Sequence, residues 1–285
     1  MAVHELPLEQ RTLHGHFSRD LEPVLEVEPG DSVRFSVPNA GWYLESGEQL
    51  VSRDPSIDTG HSLAGPIRVR GARPGLTLVV AIDAVRPGSW GETLTQPPHE
   101  LRWELDGDVG RAGGRTVRLA PFLGVLGMPP PEPGVHPTLP PRRWGGNIDC
   151  KELVAGTTLF LPIPVDAGLF SAGDGHAAQG DGEVSGTAIE CPAEAQLTLE
   201  VRDDLPLEWP IARTADAWLT FGFDEHLGRA AKIAVDGMLE LMAREHGLGA
   251  EDALAFASVV VDLRVTQVVN GVLGVHAVLR DDAFL

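Results

Sequence analysis

The stretch GPIRVRGARPGLTLVVAI, residues 65–82, decides the fold class. Ile67 and Val69 alternate with Arg68 and Arg70, Pro74-Gly75 supplies a turn, and the LTLVVAI run has the length and composition of a second strand. Working outward, residues 23–37, PVLEVEPGDSVRFSV, repeat the pattern. Leu25 and Val27 alternate with Val24, Glu26 and Glu28, and Pro29-Gly30-Asp31 turns the chain. Residues 150–165, CKELVAGTTLFLPIPV, give a third version with Gly156 at the turn. Three hairpin-like units predict a mainly β body. With 33 Gly and 23 Pro in 285 residues and no collagen period, many turns between short strands are expected. Apolar residues at 43% suffice for a substantial core and argue against disorder.

The pattern changes near the C-terminus. Over 226–247, Ala231, Ala234, Val235, Met238, Leu239 and Met242 recur at helical spacing, and Gly247 is a stop signal. A shorter helix is expected at 250–256, then strands at 258–269 and 272–279 joined by Asn270-Gly271, a strong hairpin signal. The fold class is therefore mainly β with an α+β C-terminal part. Seven prolines in 128–142 exclude a helix or a central strand and predict a stiff surface connector. The expected organisation is a β-rich segment at 1–127, a connector at 128–141, a β-rich catalytic segment at 142–224 and the α+β segment at 225–285.

A formal net charge of −19 repels phosphate backbones and anionic lipid, so neither nucleic acid nor a membrane is an expected partner. No CxxC pair, P-loop, GxSxG or HExxH is present. The N-terminus lacks a signal-peptide core and no window is apolar enough to span a bilayer, so a cytoplasmic location with reduced Cys150 and Cys191 is expected. Exposed strand edges make a homo-oligomer plausible on this reading.

The chemistry concentrates in SAGDGHAAQGDGEVSGTAIEC, residues 171–191. If 179–184 is extended, Gln179, Asp181 and Glu183 share one face and glycines the other. His176 lies just upstream. Histidine beside carboxylates suits a divalent cation such as zinc, and crowded carboxylates need a cation or a shared proton. A solvated glycine-rich loop is the competing reading. Residues 142–153, RRWGGNIDCKEL, place Asn147 and Asp149 after a tight turn at Gly145-Gly146, and His61 precedes the strand at 67–71. Ser185 is a weak nucleophile candidate because no histidine is near it in sequence.

RRWGGNIDCKELVAGTTLFLPI and GLFSAGDGHAAQGDGEVSGTAIE together resemble the acetamidase/formamidase family, and PVLEVEPGDSV and HSLAGPIRVRGARPGLTLVV fit its earlier segments. The resemblance covers roughly residues 20–285. It implies β-sandwich or barrel-like subdomains with a smaller α/β part, and hydrolysis of short amides such as formamide and acetamide to ammonia and the acid. The residue types point to metal-assisted hydrolysis, with a divalent metal, most simply zinc, held by some of His61, Asp149, His176 and Glu183. Glu183 or Glu190 serves as the proton carrier, and Asn147 and Gln179 orient the amide. Gly145, Gly146, Gly180 and Gly182 make room for a small substrate. Asn39, Ser62, Ala64, Leu76 and Ser185 depart from the family pattern, mostly in the N-terminal half of the expected site, which leaves a larger amide open as substrate. Two other readings stand beside this one: an amidase working by carboxylate acid and base alone, with Asp149 and Glu183 paired, and a catalytically silent β-rich small-molecule-binding protein.

Overall fold

The computed structural model describes residues 1–95 and 97–284. Two large sheets dominate. The first has nine strands in the order Val3–Leu6, Asp31–Val37, Ala193–Arg202, Thr77–Pro87, Thr158–Pro162, Ile211–Arg213, Ala217–Asp224, Leu273–Arg280 and Val261–Gln267. The second runs Gly145–Asn147, Phe122–Gly127, Phe170–His176, Leu63–Val69 and Leu13–His14, with Leu25–Val27 also paired to Leu63–Val69. A smaller meander covers Trp90–Thr95, His99–Asp106, Val109–Ala112 and Arg115–Arg118. The fold is mostly β with helices near the C-terminus, as the sequence predicts. The sheets are open, and no closed barrel forms among the described residues.

The three sequence turns all exist, with Gly30, Gly75 and Gly156 at positive φ, but none closes a hairpin. Leu25–Val27 lies in the second sheet and Asp31–Val37 in the first; Leu63–Val69 and Thr77–Pro87 divide the same way, as do Gly145–Asn147 and Thr158–Pro162. Each turn carries the chain from one sheet to the other. Pro-Gly chemistry reverses the chain without choosing a partner; the partner is set by where the apolar face is buried. Here that place is one core with Val33, Phe35, Val80 and Leu197 from the first sheet and Ile67, Leu123, Leu126 and Phe170 from the second.

Helix α1 is Leu227–His246 and ends at Gly247, whose φ of 65° is the left-handed C-terminal stop. Its buried stripe is Ala230, Ala234, Met238, Leu241 and Met242, turned slightly from the expected one. Gly222 explains the turn: a Cβ there would collide with the Ala230 carbonyl, so its absence lets the helix press onto strand Ala217–Asp224. Helix α2, Ala250–Val260, runs past its expected end and takes Ser258, Val259 and Val260 from the expected strand. Packing of Ala253 and Ala257 outweighs the β preference of the two valines. The connector is not wholly a surface crossover. His136–Pro137 pairs with His16–Phe17, and Met128 and Thr138 are buried.

Candidate active site

Strand Phe170–His176 brings Asp174 and His176 together, two residues apart. His176 Nε2 lies 3.3 Å from Asp174 Oδ2 and 3.3 Å from Glu190 Oε2. His61 Nε2 approaches the same Asp174 oxygen at 4.0 Å. Asp149, His176 and Glu183 can each offer a ligand atom within 4.8 Å of the others, and so can Asp174, His176 and Glu190. Asp149, Asp174, His176, Glu183 and Glu190 are all buried.

The centre of the group is a missing side chain. A Cβ on Gly124 would stand 2.5 Å from Asp174 Oδ2, 2.6 Å from Asp149 Oδ1 and 2.9 Å from His176 Cε1. Only glycine leaves that space open. The backbone bends to fill its rim: Asp149, Asp174 and Glu183 take φ of 52°, 64° and 45°, values costly for residues with a Cβ. Such strain persists where the surroundings over-determine it, as at functional sites.

Hydrogen bonds fix the histidine's face. Gln179 Nε2 donates to the Asp149 carbonyl at 2.7 Å, which turns Gln179 Oε1 toward His176 Nδ1 at 3.0 Å. His176 Nδ1 therefore carries hydrogen, and Nε2 faces two carboxylates. A neutral ring would present a lone pair to anions there, so a proton or a cation belongs at Nε2. Asp149 Oδ1, Asp174 Oδ1 and Glu190 Oε2 are buried without a hydrogen-bond partner. Orphaned carboxylate oxygens around a histidine are a donor set of the kind that holds a divalent ion, so the residues fit the expected metal.

The electrostatics follow from crowding. Burial, then Glu183, pushes Asp149 well up, and burial lifts Glu190. Burial, with Glu190 and Asp174 adding to it, raises Glu183 to about 7. His176 is raised well above its usual value: burial opposes its charge, and Glu190 and Asp174 outweigh burial. Asp174 is also opposed by burial, yet His61 and His176 hold it below the usual carboxylate range.

Of the sequence-predicted residues, Asp149, His176, Glu183 and Glu190 come together, with His61 at the edge. Glu190 joins Asp174, a residue outside the predicted set, among the possible ligands. Gln179 has both amide ends engaged inside the site, Nε2 with the Asp149 carbonyl and Oε1 with His176 Nδ1. Asn147 pairs across from Val125, one residue on from Gly124, and its Oδ1 is buried without a partner. The alternation expected over 179–184 is absent. Residues 177–180 are loop, Asp181 is exposed and bound to Lys151 at 2.8 Å, and Gly182 pairs with Gln267. Gly180 has open surroundings, Gly182 is buried with Val184 Cγ1 3.3 Å from where a Cβ would stand, and Gly145 and Gly146 serve the close approach of strand Phe122–Gly127 and the proline segment. The Ser185 hydroxyl donates to the Thr187 carbonyl.

Three residues beyond the predicted set complete the arrangement. Asp174 could have been found from GDGH, because residues two apart on a strand share a face. Asn270 donates to Asp149 Oδ2 at 2.6 Å, and its sequence signal was spent on the turn. Thr138, inside the proline segment, has Oγ1 2.9 Å from His61 Nδ1 and accepts the His61 backbone N–H; no sequence pattern points to it. His61 lines a cavity of about 600 Å³ with Trp42, Thr138 and Leu139. Glu183 lines another, of about 400 Å³. Of the departures from the family pattern, Asn39 and Ser62 brace this region. Asn39 donates to Glu92, and the Ser62 hydroxyl donates to the Pro38 and Asn39 carbonyls.

A profile of the Acetamidase/Formamidase family matches residues 3–101 and 134–271. The chain belongs to this family. Every predicted site residue lies within the matched segments, whereas Gly124 lies between them. The acetamidase of Mycolicibacterium smegmatis is 46% identical, with 60% of this chain and 61% of that relative covered. The formamidase of Methylophilus methylotrophus is 48% identical, with 61% and 60% covered. The chain thus spans about three-fifths of the length of the curated relatives it matches. A solved structure described as a predicted acetamidase/formamidase from Thermoanaerobacter tengcongensis superposes with a TM-score of 0.87 at 25% identity, covering 98% of this chain and 96% of that one.

Proposed function

We propose that this member of the Acetamidase/Formamidase family hydrolyses short-chain amides of the formamide and acetamide class to the carboxylic acid and ammonia. The observation that carries the reading is the group of four carboxylates around His176, with Asp149, Asp174 and His176 set against the side-chain-free Gly124. Its relatives' names supply the substrate class. Asp149, Asp174, His176, Glu183 and Glu190 would hold a divalent ion, zinc being the simplest choice, with His61 alongside. When bound, such an ion supplies a Lewis acid for the amide carbonyl.

The chain's own residues do the rest. Glu183, at the boundary between the buried group and its cavity, takes a proton from the attacking water and gives it to the leaving nitrogen. The water oxygen bonds to the carbonyl carbon as the C–N bond breaks, and ammonia leaves. Gln179 holds His176 through Nδ1, Asn270 holds Asp149, and Thr138 holds His61. Asn147, with Oδ1 free, is the candidate acceptor for the amide N–H. The reading includes a cytoplasmic setting, which suits two free buried thiols. It also includes a homo-oligomer, for which strand Val261–Gln267 offers a sheet edge with exposed Leu263.

The test is ammonia release from formamide, acetamide and longer amides, before and after exhaustive chelation. Release that is lost on chelation and restored by zinc supports the amidase activity and the metal together. Release indifferent to chelation moves the chemistry to Asp149 and Glu183 as an acid–base pair. No release from any amide overturns the proposed activity. Glu183→Gln is expected to lower turnover on the order of 10²–10⁴-fold with the fold intact; near-normal turnover would remove Glu183 from its role.

A further inference from the structure

A second set of ligand-type side chains lies next to the first and is unused by it. Cys150, the neighbour of Asp149, has Sγ 3.2 Å from Glu152 Oε2, and His276 Nε2 lies 3.5 Å from the same oxygen. The three ligand atoms all fall within 4.8 Å of one another. Cys150 and His276 are fully buried, and His276 Nε2 has no hydrogen-bond partner. The two spacings to Glu152 Oε2 are close to those of a small coordination shell: tetrahedral bonds of about 2.0–2.3 Å place ligand atoms roughly 3.3–3.8 Å apart.

Outer contacts aim these atoms inward. His276 Nδ1 lies 2.8 Å from Thr266 Oγ1; with Nδ1–H donating there, Nε2 presents its lone pair to the sulfur and the carboxylate. Arg264 donates to Glu152 Oε1 at 2.8 Å, and Lys151 stands 4.0 Å from that oxygen, which leaves Oε2 for the centre. One sulfur, one imidazole and one carboxylate form a softer donor set than the carboxylate-rich group beside it.

We propose that Cys150, Glu152 and His276 bind a second divalent ion of the zinc class, a structural clip independent of the amidase reading. Binding replaces the thiol proton: the Cys150 S–H bond breaks, the proton goes to solvent, and the thiolate binds the ion. The clip joins the turn that carries Asp149 to the C-terminal strand pair that precedes and follows Asn270.

The test uses the full chain freed of metal and titrated with cobalt(II), a spectroscopic substitute for zinc. Thiolate-to-cobalt charge-transfer absorption is expected in the wild type and in Asp174→Asn/His176→Gln, where the first site is disabled. It is expected to vanish in Cys150→Ser, with one equivalent of zinc lost by elemental analysis. Absence of the band from folded wild type, or its survival in Cys150→Ser, would overturn the proposal. Should Cys150→Ser fail to fold, Cys191→Ser decides, because Cys150 is then the one remaining thiol of the two: the band supports the clip, and its absence overturns it.

Discussion

Gly124 shows how a residue without a side chain can hold a site open. Alanine there would drive a methyl group to within 2.5 Å of Asp174 Oδ2 and 2.6 Å of Asp149 Oδ1. Gly124→Ala is expected to lower amide turnover by about 100-fold and weaken divalent-ion uptake while strand pairing persists. Kinetics and metal analysis on a folded variant would check this, and wild-type values for both would show that the carboxylates yield. Asn270→Ala removes the donor to a buried carboxylate oxygen. It should cost about 1–3 kcal/mol of stability, read from denaturant unfolding. Asn270→Asp, which sets a second acid beside Asp149, should cost more. At this scale the sequence exposed residue types better than partners. GDGHAAQGDGEV announces a histidine among acids and includes Glu183, and RRWGGNIDCKEL marks Asp149 after its tight turn. Nothing in it tells that Gln179 turns inward, or that Asp181 leaves for Lys151. Those outcomes depend on backbone turns at Gly182 and Glu183.

Among the elements, helix α1 was the most legible, because its period and its Gly247 stop are local properties. Gly247→Ala, at φ 65°, is expected to destabilise the chain by about 1 kcal/mol, measurable as a lower midpoint in thermal unfolding. An unchanged midpoint would mean that the helix end relaxes freely. The strands were visible as strands, but their partners were not. PVLEVEPGDSVRFSV and the 65–82 stretch read as hairpins because turn residues are local, whereas the sheet each strand joins depends on segments far along the chain. Asn270-Gly271 shows the same limit. It lies between two antiparallel strands, yet the loop spans residues 268–272 and Gln267 braces it, accepting from the Val269 and Asn270 N–H groups. The extra length lets Asn270 reach Asp149.

The molecule as a whole responds to pH and salt through groups away from the site. His14 is fully buried, with Nδ1 2.6 Å from the His16 carbonyl and Nε2 2.9 Å from Ser171 Oγ. Burial lowers its pKa to about 4, from 6.5 in the unfolded chain. Between those values the unfolded chain binds the extra proton, so this contribution is complete above pH 6.5 and is lost as pH falls toward 4. The slope approaches ~1.4 kcal/mol per pH unit. His14→Gln should flatten stability over that window, and an unchanged slope would assign the acid sensitivity elsewhere. A net charge of −19 repels itself within the folded shape. Raising ionic strength from about 0.01 to 0.15 M, which shortens the screening length from roughly 30 to 8 Å, should raise the thermal midpoint.

The contact between Asn270 and Asp149 joins residues 121 positions apart. It also sets an order of assembly. As a ribosome extends the chain, Asp149, His176, Glu183 and Glu190 emerge well before the residue that anchors Asp149. The two large sheets can begin to pair with the carboxylates still loosely held, and the last anchor arrives only with the C-terminal strand pair. A nascent chain thus has its acids early and their final geometry late, so the closed carboxylate group should form abruptly, after residue 270 is free of the exit tunnel.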